Sequence, residues 1–166
     1  MTEAKDKNQD RFRMTMYDGE RITETYLTRE EVLRLDPEEV DFHWNRAFGK
    51  AFIRTANGKH IEYSGTLPGV GWITEALLMA MIHRPGQLLT RVHLMAITRL
   101  ATFERNNRIS QRMSTLRSAF GETAESEWFF KGTRDPFTVG WNIERTWRII
   151  EAVIASKDEN VGRNGE

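Results

Sequence analysis

Between Asn107 and Phe120 the chain repeats groups that hydrogen-bond in both senses. Asn107, Gln111, Ser114, Thr115 and Ser118 supply amides and hydroxyls, while Arg108, Arg112 and Arg117 supply guanidinium forks. Interleaved with them are Ile109, Met113, Leu116 and Phe120, at i, i+4, i+7 and i+11. That spacing is one stripe of a helix with about 3.6 residues per turn. It predicts a helix with one buried stripe and an opposite polar face, flanked by Arg108 and Arg112 on one side and Arg117 on the other. Base edges in the DNA major groove present donors and acceptors that a face of this kind can read. The chemistry on offer is recognition.

Signals for catalysis are weak by comparison. His43, His60, His83 and His93 are scattered and lack ligand spacing, so no metal site is expected. Gly69-Val70-Gly71 lacks the third glycine and the strand-to-helix setting of a phosphate loop. Neither a Gly-x-Ser-x-Gly elbow nor a His-Glu-x-x-His helix occurs. The acidic run Glu38-Glu39-Val40-Asp41 near His43 reads as a solvated helix start. No catalytic residue, cofactor or small-molecule substrate is expected.

The 166 residues include no cysteine, which excludes disulfides and thiolate metal sites. With no signal peptide evident, this favours the cytoplasm, or the nucleoid if DNA is bound. The longest apolar run, around Ala76 to Ile82, is too short for a bilayer. Lys and Arg total 24, as do Asp and Glu, but the signs are unevenly placed. Residues 84–134 hold 9 basic and 4 acidic side chains, whereas residues 1–66 hold 11 and 13. The basic excess thus sits around the polar helix, where phosphate contact would need it.

The flanking elements must position that helix. Residues 1–11 are polar and without periodicity, and are expected to be disordered, as is the tail 157–166. An amino-terminal extension, 12–66, holds a first hairpin turning at Asp18-Gly19 and a short helix opened by the Thr28/Glu31 capping box. A second hairpin turns at Asn57-Gly58. After a Gly/Pro connector, residues 67–156 are read as one domain. Trp72 to Ile82 is an apolar helix stopped at Arg84-Pro85-Gly86, and a second helix opens behind Thr90. The polar helix follows, then a hairpin over 127–141, and a last amphipathic helix over 143–155 carrying Trp147, Ile150 and Ile154.

Three helices followed by a hairpin give an α+β class and the order of a winged helix-turn-helix. The chain here resembles the effector domain of OmpR-type response regulators over roughly residues 50–141. Arg84-Pro85-Gly86-Gln87-Leu88-Leu89-Thr90-Arg91 is similar to that family's turn into its second helix. Ile109 through Leu116-Arg117-Ser118-Ala119-Phe120 is similar to its recognition helix, and Gly132 to Trp141 sits where its wing lies. The chain departs from the pattern in having Ser114 and Thr115 where arginines are common, in showing no preceding receiver domain, and in its added carboxy-terminal helix.

The resemblance implies a sequence-specific regulator, bacterial or from a mobile element, that binds double-stranded DNA. Arg108, Gln111, Arg112, Ser114, Thr115, Arg117 and Ser118 would enter the major groove. Thr90, Arg91, Lys131 and Arg134 would grip phosphates. One such helix reads few base pairs, so a second copy of the chain or a regulatory protein partner is expected, docked through Trp147, Ile150 and Ile154. The rival reading is an adaptor or inhibitor that uses the same scaffold to bind protein instead of DNA.

Overall fold

The computed structural model describes residues 11–98, 106–132 and 138–153. The expected disorder at both ends, the contact through Arg134 and the apolar contribution of Ile154 lie outside these residues. Turn chemistry organises the amino-terminal half. Strand β1 (Phe12–Tyr17) turns at Asp18, whose carboxylate accepts from the backbone N–H of Glu20 and Arg21, and returns as β2 (Ile22–Leu27). Thr28 and Glu31 complete both bonds of a capping box and open the short helix α1 (Arg29–Leu33). A single 3-10 turn at Pro37–Glu39, capped by Asp36, leads to β3 (Phe42–Asn45). Strands β4 (Lys50–Arg54) and β5 (His60–Ser64) then form a hairpin around Asn57-Gly58.

The helical part follows. Helix α2 (Trp72–Ile82) leads through Pro85-Gly86 to the two-residue strand β6 (Leu89–Thr90) and to α3 (Arg91–Thr98). Helix α4 (Asn106–Ala119) carries the polar face, and β7 (Phe129–Lys131) and β8 (Thr138–Trp141) form the hairpin. With β6 they make a three-stranded sheet in the order β6-β8-β7. The chain closes with β9 (Trp147–Ala152).

That last strand overturns the expected architecture. Residues 147–152 form the interior of a six-stranded sheet, order β2-β1-β9-β3-β4-β5, parallel to β3 and antiparallel to β1. The fold is mixed α+β, and a sheet of this size does not fit a three-helix winged helix with a small hairpin wing. The difference has a physical source. A strand buried on both faces shows no polar alternation, and its short apolar run is compatible with either period. Trp147 and Ile149 face one side, Arg148 and Ile150 the other, and all four are buried.

The two faces of this sheet are unequal. On one, Tyr17, Phe42, Trp44, Ala51, Ile53, Trp147 and Ile149 join the main core with Leu77, Leu78 and Met81 of α2 and the stripe of α4. On the other, Phe12, Val32 and Ile150 form a small cluster under α1, extended by Met14, Leu27, Leu35 and Phe48. Trp147 therefore offers nothing to a partner: it is fully buried and donates its indole N–H to the carbonyl of Ile82 at 2.9 Å. Trp72, at the start of α2, is 70% exposed.

Phe120, at the end of α4, ties the parts together. Its ring lies 4.9 Å from that of Phe42 on the large sheet, 5.0 Å from Trp128, 5.2 Å from Phe129 and 5.9 Å from Trp141. Edge-to-face aromatic packing of this kind is directional, so it sets the roll of α4 as well as its depth.

Candidate functional site

Helix α4 buries Ile109, Met113, Leu116 and Ala119 and leaves Arg108, Gln111, Ser114 and Ser118 exposed. The stripe predicted from spacing is thus the buried one, and the polar face lies opposite. Its length of 14 residues corresponds to about 21 Å, enough to lie along a DNA groove.

Sequence reasoning missed what lies beside this face. The turn Pro68–Gly71 is pinned by the buried Leu67 and Val70 and runs against α4. Gly69 has φ +73°, and a Cβ there would stand 3.3 Å from the Thr115 methyl. Glycine suits the left-handed backbone, and a side chain there would also press on that methyl. Two adjoining hollows result. One, about 450 Å³, lies between Pro68-Gly69 and Gln111, Ser114, Thr115 and Ser118. The other, about 250 Å³, lies between Gly69, Gly71, Thr74 and Arg108, Gln111, Arg112 and Thr115. The signal available in the sequence was a pair of glycines flanking one apolar residue just before a helix.

The arginines differ sharply in their freedom. Arg112 donates from Nη1 to the Thr74 hydroxyl on α2 at 3.0 Å. Arg117 pairs through Nε with Glu122 at 2.9 Å, and the other oxygen of Glu122 accepts the backbone N–H of Trp128 and Phe129. Both side chains therefore brace the fold. Arg108 is exposed, and no ion pair holds it among the described residues.

Three further predicted contacts belong to other elements. Thr90 caps α3, its hydroxyl accepting the His93 N–H while its own N–H donates to His93 Nδ1, both at 3.2 Å. Arg91 is half-buried at that helix start. Lys131 ends β7, paired with Val139.

A second polar cluster lies on the far side of the large sheet. Arg148, 3% exposed, donates from Nε to His43 Nδ1 at 3.0 Å, from Nη1 to Glu39 and from Nη2 to the Asp36 carbonyl. Burial, reinforced by the Arg148 charge, pushes the pKa of His43 down to about 3, so the ring is neutral. Burial also lowers that of Arg148, against the opposing pull of Glu39. Asp41, from the acidic run, holds Arg54 at 2.8 Å and accepts the Thr146 N–H. These groups join the 3-10 turn to the sheet. Among the described residues no group of three or more His, Asp or Glu is arranged to hold a metal.

No protein-family model matches the chain, and neither a curated protein nor a solved structure does. None of these comparisons indicates an OmpR-type domain. Among the described residues no helix is long and apolar enough to cross a membrane.

Proposed function

We propose that the chain binds double-stranded DNA through the exposed face of α4 and acts as a sequence-specific regulator. The observation that supports this best is the uncovered row Arg108, Gln111, Ser114 and Ser118, held in place by a fully buried stripe and by Phe120. A rigid helix presenting an amide, two hydroxyls and a guanidinium has the donors and acceptors that base edges recognise. The basic excess over residues 84–134 supplies attraction to phosphate. Thr90, Arg91, Lys131 and Arg134 remain proposed phosphate contacts, and a second copy or protein partner remains proposed for site selection. A cytoplasmic, DNA-associated location goes with this reading.

Selection of bound duplexes from a random library tests it. A recovered consensus that α4 substitutions alter supports the reading, and recovery of unselected sequence alone contradicts it.

One observation favours the rival reading of a protein-binding module. Leu88, Val92 and Ile143 are 45%, 65% and 50% exposed, and apolar groups left in water suit a partner surface. Failure to bind any duplex at low salt, with a protein partner lost on Val92→Asp, would favour it.

A further inference from the structure

The smaller of the two hollows beside α4 has an unusual lining. Arg108, Arg112 and Gln111 face Gly71 and Thr74 across about 250 Å³, and no carboxylate is among the described lining residues. Thr74 already accepts from Arg112 Nη1, which fixes the guanidinium fork. The Nε–H of the same fork is buried and has no acceptor among the described residues. Neither Arg108 nor Arg112 has an ion pair among the described residues, so an oxyanion in the hollow would meet two uncompensated cations.

We propose that this hollow seats a phosphate oxyanion, held by the guanidinium groups of Arg108 and Arg112 and by the Gln111 amide. Gly69 and Gly71 leave room for it, since neither carries a side chain into the space. The proposal rests on the DNA reading of α4 for its source, the backbone phosphate of a bound duplex. A free phosphate-bearing compound shares the chemistry. Arg112 thereby acquires a ligand-facing role beside its bracing one, and a duplex entering along α4 is anchored at the Gly71 end of the helix face.

The test is a ¹H–¹⁵N NMR titration of the full chain with inorganic phosphate, against chloride at matched ionic strength, followed by duplex DNA. Saturable shifts of the Arg112 Nε–H and of the Gly69 and Gly71 amides are expected with phosphate. Gln111→Glu, at an exposed position, places a carboxylate at the rim and should abolish them. Arg112→Lys keeps the charge, removes the planar guanidinium fork and should weaken them. Loss of the phosphate shifts when duplex is bound assigns the seat to the DNA backbone. Phosphate shifts with no duplex binding support the seat, name a free phosphate compound as its ligand, and remove the DNA reading. Absence of phosphate shifts beyond those of chloride overturns the seat whether or not duplex binds. Shifts that persist unchanged in both variants overturn it as well.

Discussion

Inside the large sheet the Nε–H of Arg148 donates to Nδ1 of His43 at 3.0 Å, and both side chains are 3% exposed. His43 can accept that bond only while neutral, and burial first, then the Arg148 charge, holds its pKa near 3. In the unfolded chain a histidine takes up its proton at about pH 6.5. Between those values the unfolded state binds more protons than the native one, so stability falls as pH drops from about 6.5 toward 3. Denaturant midpoints measured across that range should decline steeply, and His43→Gln should flatten the decline. An unchanged slope in the variant would remove His43 as the cause.

Phe120→Ala should cost about 3–5 kcal/mol, because one ring meets Phe42 on one sheet and Trp128, Phe129 and Trp141 around the other. Leu116→Ala, at a fully buried position, should cost about 2–5 kcal/mol. Chemical denaturation checks both. A midpoint near wild type for either would mean that the α4 stripe is not the interior surface described.

How much of this was legible in the sequence follows from local chemistry. Asp18-Gly19, Asn57-Gly58, the Thr28/Glu31 box and the α4 stripe act through neighbours in the chain, and each lies where its pattern placed it. What pairs across more than a hundred residues left little trace. Trp147, Ile150 and Ile154 fit a helical period over what is strand β9, and the charge of Arg148 masks the two-sided burial of that strand. That charge is answered by Glu39 and the Asp36 carbonyl from the far end of the sequence. Two proposed DNA contacts have partners nearer in the chain, at separations that the helical spacing does not reveal. Arg112 meets Thr74 and Arg117 meets Glu122, so neither is the free cation its spacing suggested.

Arg117→Ala should therefore act on stability. Its loss leaves Glu122 without its cation while that carboxylate still holds the Trp128 and Phe129 N–H groups. Glu122→Ala should do more, leaving two backbone donors and Arg117 unsatisfied, at about 1–3 kcal/mol for each buried group exposed to that loss. Thermal melts should rank wild type above Arg117→Ala above Glu122→Ala, and the reverse order of the two variants would contradict the described role of Glu122.

Trp147→Phe should destabilise the fold without changing assembly. The indole is fully buried and its N–H is bonded to the Ile82 carbonyl, so the phenyl ring leaves that acceptor unpaired. Sedimentation should give the same mass for variant and wild type, alongside a lowered melting temperature. A change in mass with an unchanged melt would return Trp147 to a surface.

The central claim is that the exposed face of α4 meets DNA, and its most direct test is the salt dependence of duplex binding with and without Arg108. The guanidinium is exposed and braces nothing among the described residues, so Arg108→Ala should leave the melting temperature unchanged. Fluorescence anisotropy with a selected duplex should show binding that weakens as salt rises. In Arg108→Ala the slope of log K against log salt should fall by about one if the contact is to phosphate, or affinity should fall by about 1–3 kcal/mol if it is to a base. Wild-type and variant curves that superimpose at every salt concentration, or no binding even at low salt, would contradict the account.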